Sequence, residues 1–536
     1  MIHTCAPRIG AEYEFKSIKI LGASMLVSVI VIVAYLAFFT LAGVYLNRSN
    51  KSDSDWANGG GTMGIWLLAA GVAGTRIGGA GTYGVAGDVM QTGLGNLWYG
   101  VNSFTALALV GLFFAIPYRR LRLSSVGQVF DLRFGSRRCQ SLTSLCVQTE
   151  YLVVNIIEPF VIGSIITGVT GLPFGISVFI GGFVILFFTA TGGLKGTAIT
   201  NLVHCGIVII GLSIVALFAM QDMGGWAATV ERADVALDAA GMDKATWWSV
   251  TGIGWVTIIA LSLSATLHTP AASVYANYAA SAKSEKSLIP AFLLAGLLAA
   301  LMPFIAGVIG VETFAKYGAG SGISSYRNIT QLAIDTGPII GGIALAAVLA
   351  ALISSGAPML LGSATMFVND WVPGSKHFSQ EKRLKAYKIT AVIYGLVATI
   401  IAWQANISSV LQLLLLGFAM VVPPAIAITY MFYWRKTSEK AAFYGILLGY
   451  GGGLLHWTLN TLFDGSESAV AGGFAEYWYG LLQSLGEWGD PTFSATLIPL
   501  FVIPILTMIY PDDHENSELA KSFYKVLKTP DRTVNV

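Results

Sequence analysis

Apolar runs of about 20 residues, each long enough to cross a bilayer as a helix, alternate with short polar stretches along this chain. The first runs from Leu21 to Leu46 and ends in the polar stretch NRSNKSDSDWANGG. A glycine-rich run, Gly64 to Gly87, comes next, and then Leu97 to Pro117, Leu142 to Val169, Phe174 to Thr191 and Thr197 to Met220. A loop of mixed polarity with Asp222, Glu231, Asp234, Asp238 and Asp243 leads to Trp248 to Ala280. The pattern continues with Leu288 to Val311, Pro338 to Val368, Ile389 to Trp403, Val410 to Trp434, Ala441 to Leu462 and Phe493 to Tyr510. The window rule therefore predicts an all-α integral membrane protein with about thirteen transmembrane helices.

Three of these runs carry helix breakers. In GIWLLAAGVAGTRIGGAGTYGVAG the glycines Gly74, Gly78, Gly79 and Gly81 crowd around Arg76, and each glycine costs about 1 kcal/mol relative to Ala inside a helix. The run reads as a broken membrane helix whose freed carbonyls and amides line a cavity. Close packing through small residues is the competing reading. Trp248 to Ala280 holds His268 and Pro270, and Pro338 to Val368 holds Ser354, Ser355, Gly356 and Pro358. Gly64 opens the first of ten consecutive spans and Trp248 the sixth. Two five-helix halves, each opening on an interrupted helix, follow the inverted-repeat rule for transporters, although the halves share no visible identity. The segments are then 1–63 with the first helix, 64–220 and 248–435 as the repeats, 441–510 with two additional helices, and a tail at 511–536.

Composition agrees with this class: 55% of the 536 residues are hydrophobic and 11% charged, against about 25% charged in soluble domains. A net charge of +2 without basic runs gives no argument for nucleic acid. Cys5, Cys139, Cys146 and Cys205 lack metal-site spacing and the six histidines lack ligand spacing, so neither a zinc site nor a metalloenzyme is expected. The amino-terminal run has no small-residue cleavage site and reads as a retained span. The loop with Arg119, Arg120, Arg122, Arg133, Arg137 and Arg138, the turns at Lys195, at Lys283 and Lys286, and at Arg435 and Lys436, the loop from Lys376 to Lys388, and the tail lysines all fall on one side. By the positive-inside rule that side is cytoplasmic, which puts the amino terminus outside and the carboxyl terminus inside. Arg8, Lys16 and Lys19 on the first flank run against this assignment, but the first helix does not always dominate.

Candidate chemistry lies at the breakers. Ser354 and Ser355 can offer hydroxyls to an alkali cation beside unwound carbonyls, or simply bond back to their own helix. Arg76 near mid-span costs about 3 kcal/mol or more, so it faces a cavity or a partner. It either pairs with Glu150 or Glu158 or captures a substrate carboxylate bidentately. His268, His204 and Asn201 can serve as polar lining or as satisfied packing residues.

Four stretches resemble a known family: GTRIGGAGTYGVAG, TATGGLKGTAITNLVH, AALISSGAPMLLGSATMFVND and VVPPAIAITYMFYWRKTSEKAAFYGILLGY. With the loop VGQVFDLRFGSR they are similar to the sodium/solute symporters, and together they cover most of Gly64 to Tyr450. The resemblance implies a LeuT-type core of ten helices, with one span before it and two after. It implies a sodium ion (Na+) held by Gly74, Ile77, Ala351, Ser354 and Ser355, and solute contacts at Arg76, Gly78, Gly81, His268 and Thr269. The chain departs from the family where an acidic or amide residue gives way to Arg76, and where Thr200, Asn201 and His204 replace a T-D-x-x-Q pattern. A guanidinium near a sodium site weakens the ion unless a carboxylate such as Glu150 neutralises it.

The expectation is a sodium-coupled symporter of the cell (plasma or inner) membrane. It has the lipid bilayer and a small-molecule solute as partners, with Arg76 tilting the expectation toward a carboxylate-bearing solute; it is not an enzyme, and no feature specifies an oligomeric state. The alternatives are a sodium-independent or proton-linked transporter in which Arg76 replaces the cation, and a transporter-fold membrane sensor, for which the tail is short. A channel lacks a visible filter.

Overall fold

The computed structural model describes residues 59–319, 327–405, 407, 409–462, 480–481, 484–511 and 517–530, with part of 26–41. Most of the expected first span, and the acidic stretch with Asp464, Glu467 and Glu476, lie outside the described residues. Those described are almost wholly helical, because membrane-length apolar segments satisfy their backbone groups internally.

The glycine-rich run forms α1 (Ile65–Arg76), a break, a wide turn at Ala80–Gly84 and α2 (Val85–Thr92). Next come α3 (Leu94–Leu121), the short α4 (Gln128–Phe134) and α5 (Arg137–Thr170). The long α6 (Phe174–Asp222) contains two apolar stretches, Phe174–Ala190 and Leu194–Asp222. A surface helix, α7 (Trp226–Ala240), precedes the second half. That half opens with α8 (Trp255–Leu267) and α9 (Ser273–Ser281), bent by 49° at their junction. It continues with α10 (Leu288–Tyr317), α11 (Asn328–Thr336), α12 (Pro338–Met366), α13 (Gln380–Gln404), and α14 (Val410–Ala419) running into α15 (Val422–Tyr433). Then follow α16 (Glu439–Leu462), α17 (Pro491–Ile509) and the tail helix α18 (Glu518–Lys528). Among the described residues eight helices are long and apolar enough to cross a membrane, and the bent α8/α9 pair makes nine. The expected thirteen also counts the first span, α1/α2, Phe174–Ala190 and α16.

Two local readings of the sequence differ from the structure. The span expected from Trp248 starts at Trp255, because Gly254 has φ +83° and Trp248 is tied outside it by its indole N–H to Asp234 at 2.7 Å. The breaker-rich α12 is not broken: Pro358 sits inside a continuous helix. Its ring removes the amide that would bond to the Ser354 carbonyl one turn back, and Asn201 Nδ2 on α6 reaches that carbonyl at 3.5 Å.

The core lies where α1, α5, α6 and α12 meet, packed by small and branched side chains such as Ala73, Ala198, Ile157 and Leu352, all essentially buried. One end of the bundle carries the basic loops and is sealed. There Arg119 donates to the carbonyls of Ala282 and Lys283, Arg120 pairs with Glu285 at 2.7 Å, and Met63 bridges to Ala282. The tail helix docks on this end: Tyr524 donates to the Met431 carbonyl at 2.8 Å and lies between the guanidinium groups of Arg133 and Arg435. The opposite end opens into a vestibule of ≈ 1140 Å³ whose lining includes Asp88, Asp243 and Asp490.

Candidate functional site

α1 ends at Arg76 because Gly78 and Gly79 follow, and the carbonyls of its last turn have no partner within the helix. One of them, on Gly74, accepts from Ser354 Oγ at 3.0 Å, and the same hydroxyl donates to the Ala351 carbonyl at 2.7 Å. Ile77 lies in the break, with its N–H bonded to the Ala73 carbonyl at 2.8 Å. Ser355 Oγ donates to Glu158 Oε1 at 2.5 Å and to the Leu352 carbonyl at 3.1 Å. Gly74, Ala351, Ser354 and Ser355 thus converge on the break from α1 and α12, four of the five positions expected around the cation.

Glu158 completes this cluster. Its carboxylate reaches from α5 into the break and accepts the Gly79 N–H on both oxygens, at 3.2 Å each. Gly78 makes room for it, since a Cβ there would stand 2.5 Å from Glu158 Oε1 and 2.6 Å from Ser355 Oγ. Two donors, the Gly79 N–H and the Ser355 hydroxyl, thus hold the carboxyl in the break. The sequence offered Glu158 only as one of two ion-pair partners for Arg76; nothing in its local pattern points to Ser355.

Arg76 takes a different direction. Its Nε donates to Ser103 at 3.4 Å, Nη2 to the Ala265 carbonyl at 2.9 Å, and Nη1 faces His268 Nε2 at 3.4 Å. The guanidinium also lies 4.9 Å from the Phe418 ring and 5.5 Å from that of Tyr99. Among the described residues it makes no contact of ion-pair length with Glu150 or Glu158. The held guanidinium therefore points to α3 and α8 rather than to Ser354, which leaves the cation position to oxygen atoms. Tyr275 is a further hydrogen-bonding neighbour of the group, and the guanidinium lines a closed cavity.

That cavity, ≈ 30 Å³, lies between α1, α5, α9 and α14 and is lined by Arg76, Gly78, Gly81, Tyr99, Glu150, Glu158, Tyr275, Ser355 and Phe418, among others. It has room for a water or a bare cation and not for an organic solute. Ile157, Leu414 and Phe418 line it, while Ile156, Leu415 and Ala419 line the vestibule. Neighbouring residues of α5 and α14 thus face the two spaces and lie between them. His268 stacks on Phe418 at 3.8 Å with Nδ1 bonded to the Ser264 carbonyl at 2.8 Å, and Thr269 is buried at the α8/α9 break, bonded to the Ala265 carbonyl. Of the expected solute residues, Arg76, Gly78 and Gly81 line the cavity, and His268 and Thr269 stand behind it. Tyr99, Tyr275 and Phe418 were not singled out from the sequence, where aromatics in apolar runs look alike.

Asn201 donates to the Gly71 carbonyl at 3.3 Å and packs against Gly74, so it braces α1 rather than lining the cavity. His204 lies against the Tyr35 ring at 6.1 Å. Cys139, Cys146 and Cys205 are buried free thiols, and no cluster of metal-ligating side chains occurs among the described residues.

The family model described as "Sodium:solute symporter family" matches residues 56–449. The sodium/proline symporter of Staphylococcus aureus (strain JH9) is 22% identical over 446 residues, covering 78% of this chain and 84% of that protein. The structure is similar to that of a Na+-coupled sialic acid symporter in a substrate-bound outward-open state, with TM-score 0.71, 18% identity, and coverage of 90% of this chain and 98% of the other. It is also similar to MhsT in complex with L-phenylalanine, with TM-score 0.50, 16% identity and coverage of 83% and 97%. The fold is the LeuT-type arrangement of two inverted five-helix repeats.

Proposed function

The chain belongs to the sodium:solute symporter family and carries out sodium-coupled symport of a small solute; from that premise we propose how its own residues do so. Sodium binds between α1 and α12 on the carbonyls of Gly74, Ile77 and Ala351 and the hydroxyls of Ser354 and Ser355. The observation that carries this reading is the Ser354 hydroxyl, which already spans the Gly74 and Ala351 carbonyls. Turning the two hydroxyl hydrogens away presents oxygen lone pairs to the ion, and Glu158 behind Ser355 supplies a negative charge that offsets Arg76. Because Gly74 belongs to the first repeat and Ser354 to the second, sodium bound between them holds the halves together in one arrangement.

The solute enters the closed cavity when the layer of Leu414 and Phe418 moves aside. Arg76, fixed by Ser103, Ala265 and His268, is a preorganised positive charge on its wall, and favours a solute bearing a carboxylate. The S. aureus relative is named for proline, which fits such a solute in size and charge. Solute and ion come from the vestibule, whose aspartates attract cations, and this end faces outside if the basic loops are cytoplasmic. The protein works in the cell membrane.

Uptake into proteoliposomes tests the reading. An inward sodium gradient drives accumulation, an equal potassium gradient does not, and Ser354→Ala with Ser355→Ala raises the sodium concentration for half-maximal uptake. Unchanged sodium dependence in the folded double variant refutes the ion assignment.

A further inference from the structure

Glu150 is a buried acidic group that no hydrogen bond among the described residues satisfies. It is fully buried, lines the closed cavity, and neither carboxylate oxygen has a hydrogen-bond partner among the described residues. Among the described residues the one basic group within ion-pair range is His268, with Nε2 at 3.9 Å from Glu150 Oε1. His268 cannot serve it. The Ser264 carbonyl only accepts, so the proton is on Nδ1, while the Nε2 lone pair faces a donor-only guanidinium nitrogen of Arg76. The imidazole is therefore neutral and offers Glu150 no hydrogen. A buried carboxyl with no donor is costly to ionise, so Glu150 carries its charge only when a positive group reaches it.

The charge balance identifies the visitor. With sodium bound, the ion balances an ionised Glu158, and Arg76 and an ionised Glu150 are opposite charges on the wall of one cavity without touching each other. A solute with a carboxylate alone leaves this buried site one negative charge in excess, and one with an amine alone leaves a positive excess. A zwitterion leaves it neutral, as an uncharged solute does, but only the zwitterion brings each of the two wall charges its opposite. A second sodium ion would need several hard oxygens free near Glu150, whereas the oxygens of Thr75, Glu158 and Ser355 on this wall are already bonded and the rest of it includes Val154, Leu414, Met359, Phe418 and the rings of Tyr99 and Tyr275. Such walls suit an organic cation, which gains from aromatic faces.

We propose that Glu150 is the solute-binding residue that receives a protonated, N–H-bearing nitrogen, so that the transported solute is a compact zwitterion held between Glu150 and Arg76. This inference rests on the reading of the closed cavity as the solute site of a sodium symporter. The packing of α5 supports the geometry: Tyr151, next to Glu150, accepts the Val274 N–H at 2.7 Å, which ties α5 to α9 beside the break.

The test takes one solute apart while the sodium site is followed separately. Purified protein is titrated, with saturating sodium, with L-alanine, L-proline, their N-acetyl derivatives, propionate and ethylamine, and sodium-induced thermal stabilisation is measured without solute. Wild type is expected to bind at least one free amino acid 100-fold more tightly than its N-acetyl derivative or either single-charge analogue. Glu150→Gln is expected to weaken that amino acid at least 30-fold and leave the midpoint of sodium stabilisation within threefold of wild type. Glu150→Asp, which keeps the charge, gives an intermediate loss. Propionate or an N-acetyl derivative binding as well as the amino acid overturns the proposal while leaving sodium symport standing. A Glu150→Gln effect on the sodium midpoint instead of on the amino acid overturns it in favour of a second cation. Absence of any sodium stabilisation and any sodium-driven uptake refutes the symporter reading itself. If Glu150→Gln does not fold, the wild-type analogue series decides alone.

Discussion

Replacing Glu158 by Gln removes one negative charge from the break and leaves the shape nearly unchanged. The Gln carbonyl can still accept from Gly79 N–H and Ser355 Oγ, so the loss is mainly electrostatic. Ser355 Oγ is 2.5 Å from Glu158 Oε1, and a cation of calcium-like size sits about 2.4 Å from its oxygen ligands. The ion and the carboxylate are then about 5 Å apart, which at an effective dielectric of about 20 is worth about 3 kcal/mol. That corresponds to roughly a 100-fold weaker sodium affinity. The assay is the sodium concentration that gives half of the thermal stabilisation of the purified protein, together with half-saturation of uptake. Size exclusion and a sodium-free melt establish that Glu158→Gln folds. A midpoint within threefold of wild type would mean that Glu158 is a structural cap on Gly79 with no part in holding the ion, and the electrostatic reasoning would fail.

Ser354→Ala and Ser355→Ala each remove one hydroxyl ligand, worth about 1.5–3 kcal/mol toward a charged group; each should raise the sodium midpoint about tenfold or more, as a titration would show. Arg76→Gln should abolish uptake of a carboxylate-bearing solute and lower the melting temperature, since the guanidinium also joins α1 to α3 and α8; uptake equal to wild type excludes its solute role. Gly78→Ala places a methyl against Glu158 and Ser355 and should cost about 1–3 kcal/mol by overpacking, with sodium stabilisation reduced more than tenfold. Tyr524→Ala should release the tail helix from the basic end, read as faster proteolysis near Lys521 and Lys525 with the core intact; unchanged cleavage would show that the Met431 contact does not hold it.

Much of this molecule follows from its linear pattern. Run length and hydropathy define the spans because a bilayer leaves an apolar segment little choice but to bond its own backbone. The glycines from Gly74 to Gly81 and Pro270 predict breaks in the first and sixth core helices, since those residues act on the local backbone. The same logic misleads at Pro358, where the neighbouring helix supplies Asn201 to the freed carbonyl and α12 stays whole. Family likeness proposes five positions for the cation, and four of them converge on the break.

Tertiary structure alone decides which charge stands where. Ser355 and Glu158 are 197 residues apart and Arg76 and Ala265 are 189 apart, and no local periodicity records such meetings. The sequence places Arg76, Glu150 and Glu158 in membrane spans and requires partners for all three. Helix rotation and packing then give Glu158 to the break, Arg76 to α3 and α8, and leave Glu150 facing the closed cavity. These assignments depend on which faces of α1, α5 and α8 meet, and that is settled by close packing of small residues spread over the whole chain rather than by any segment on its own.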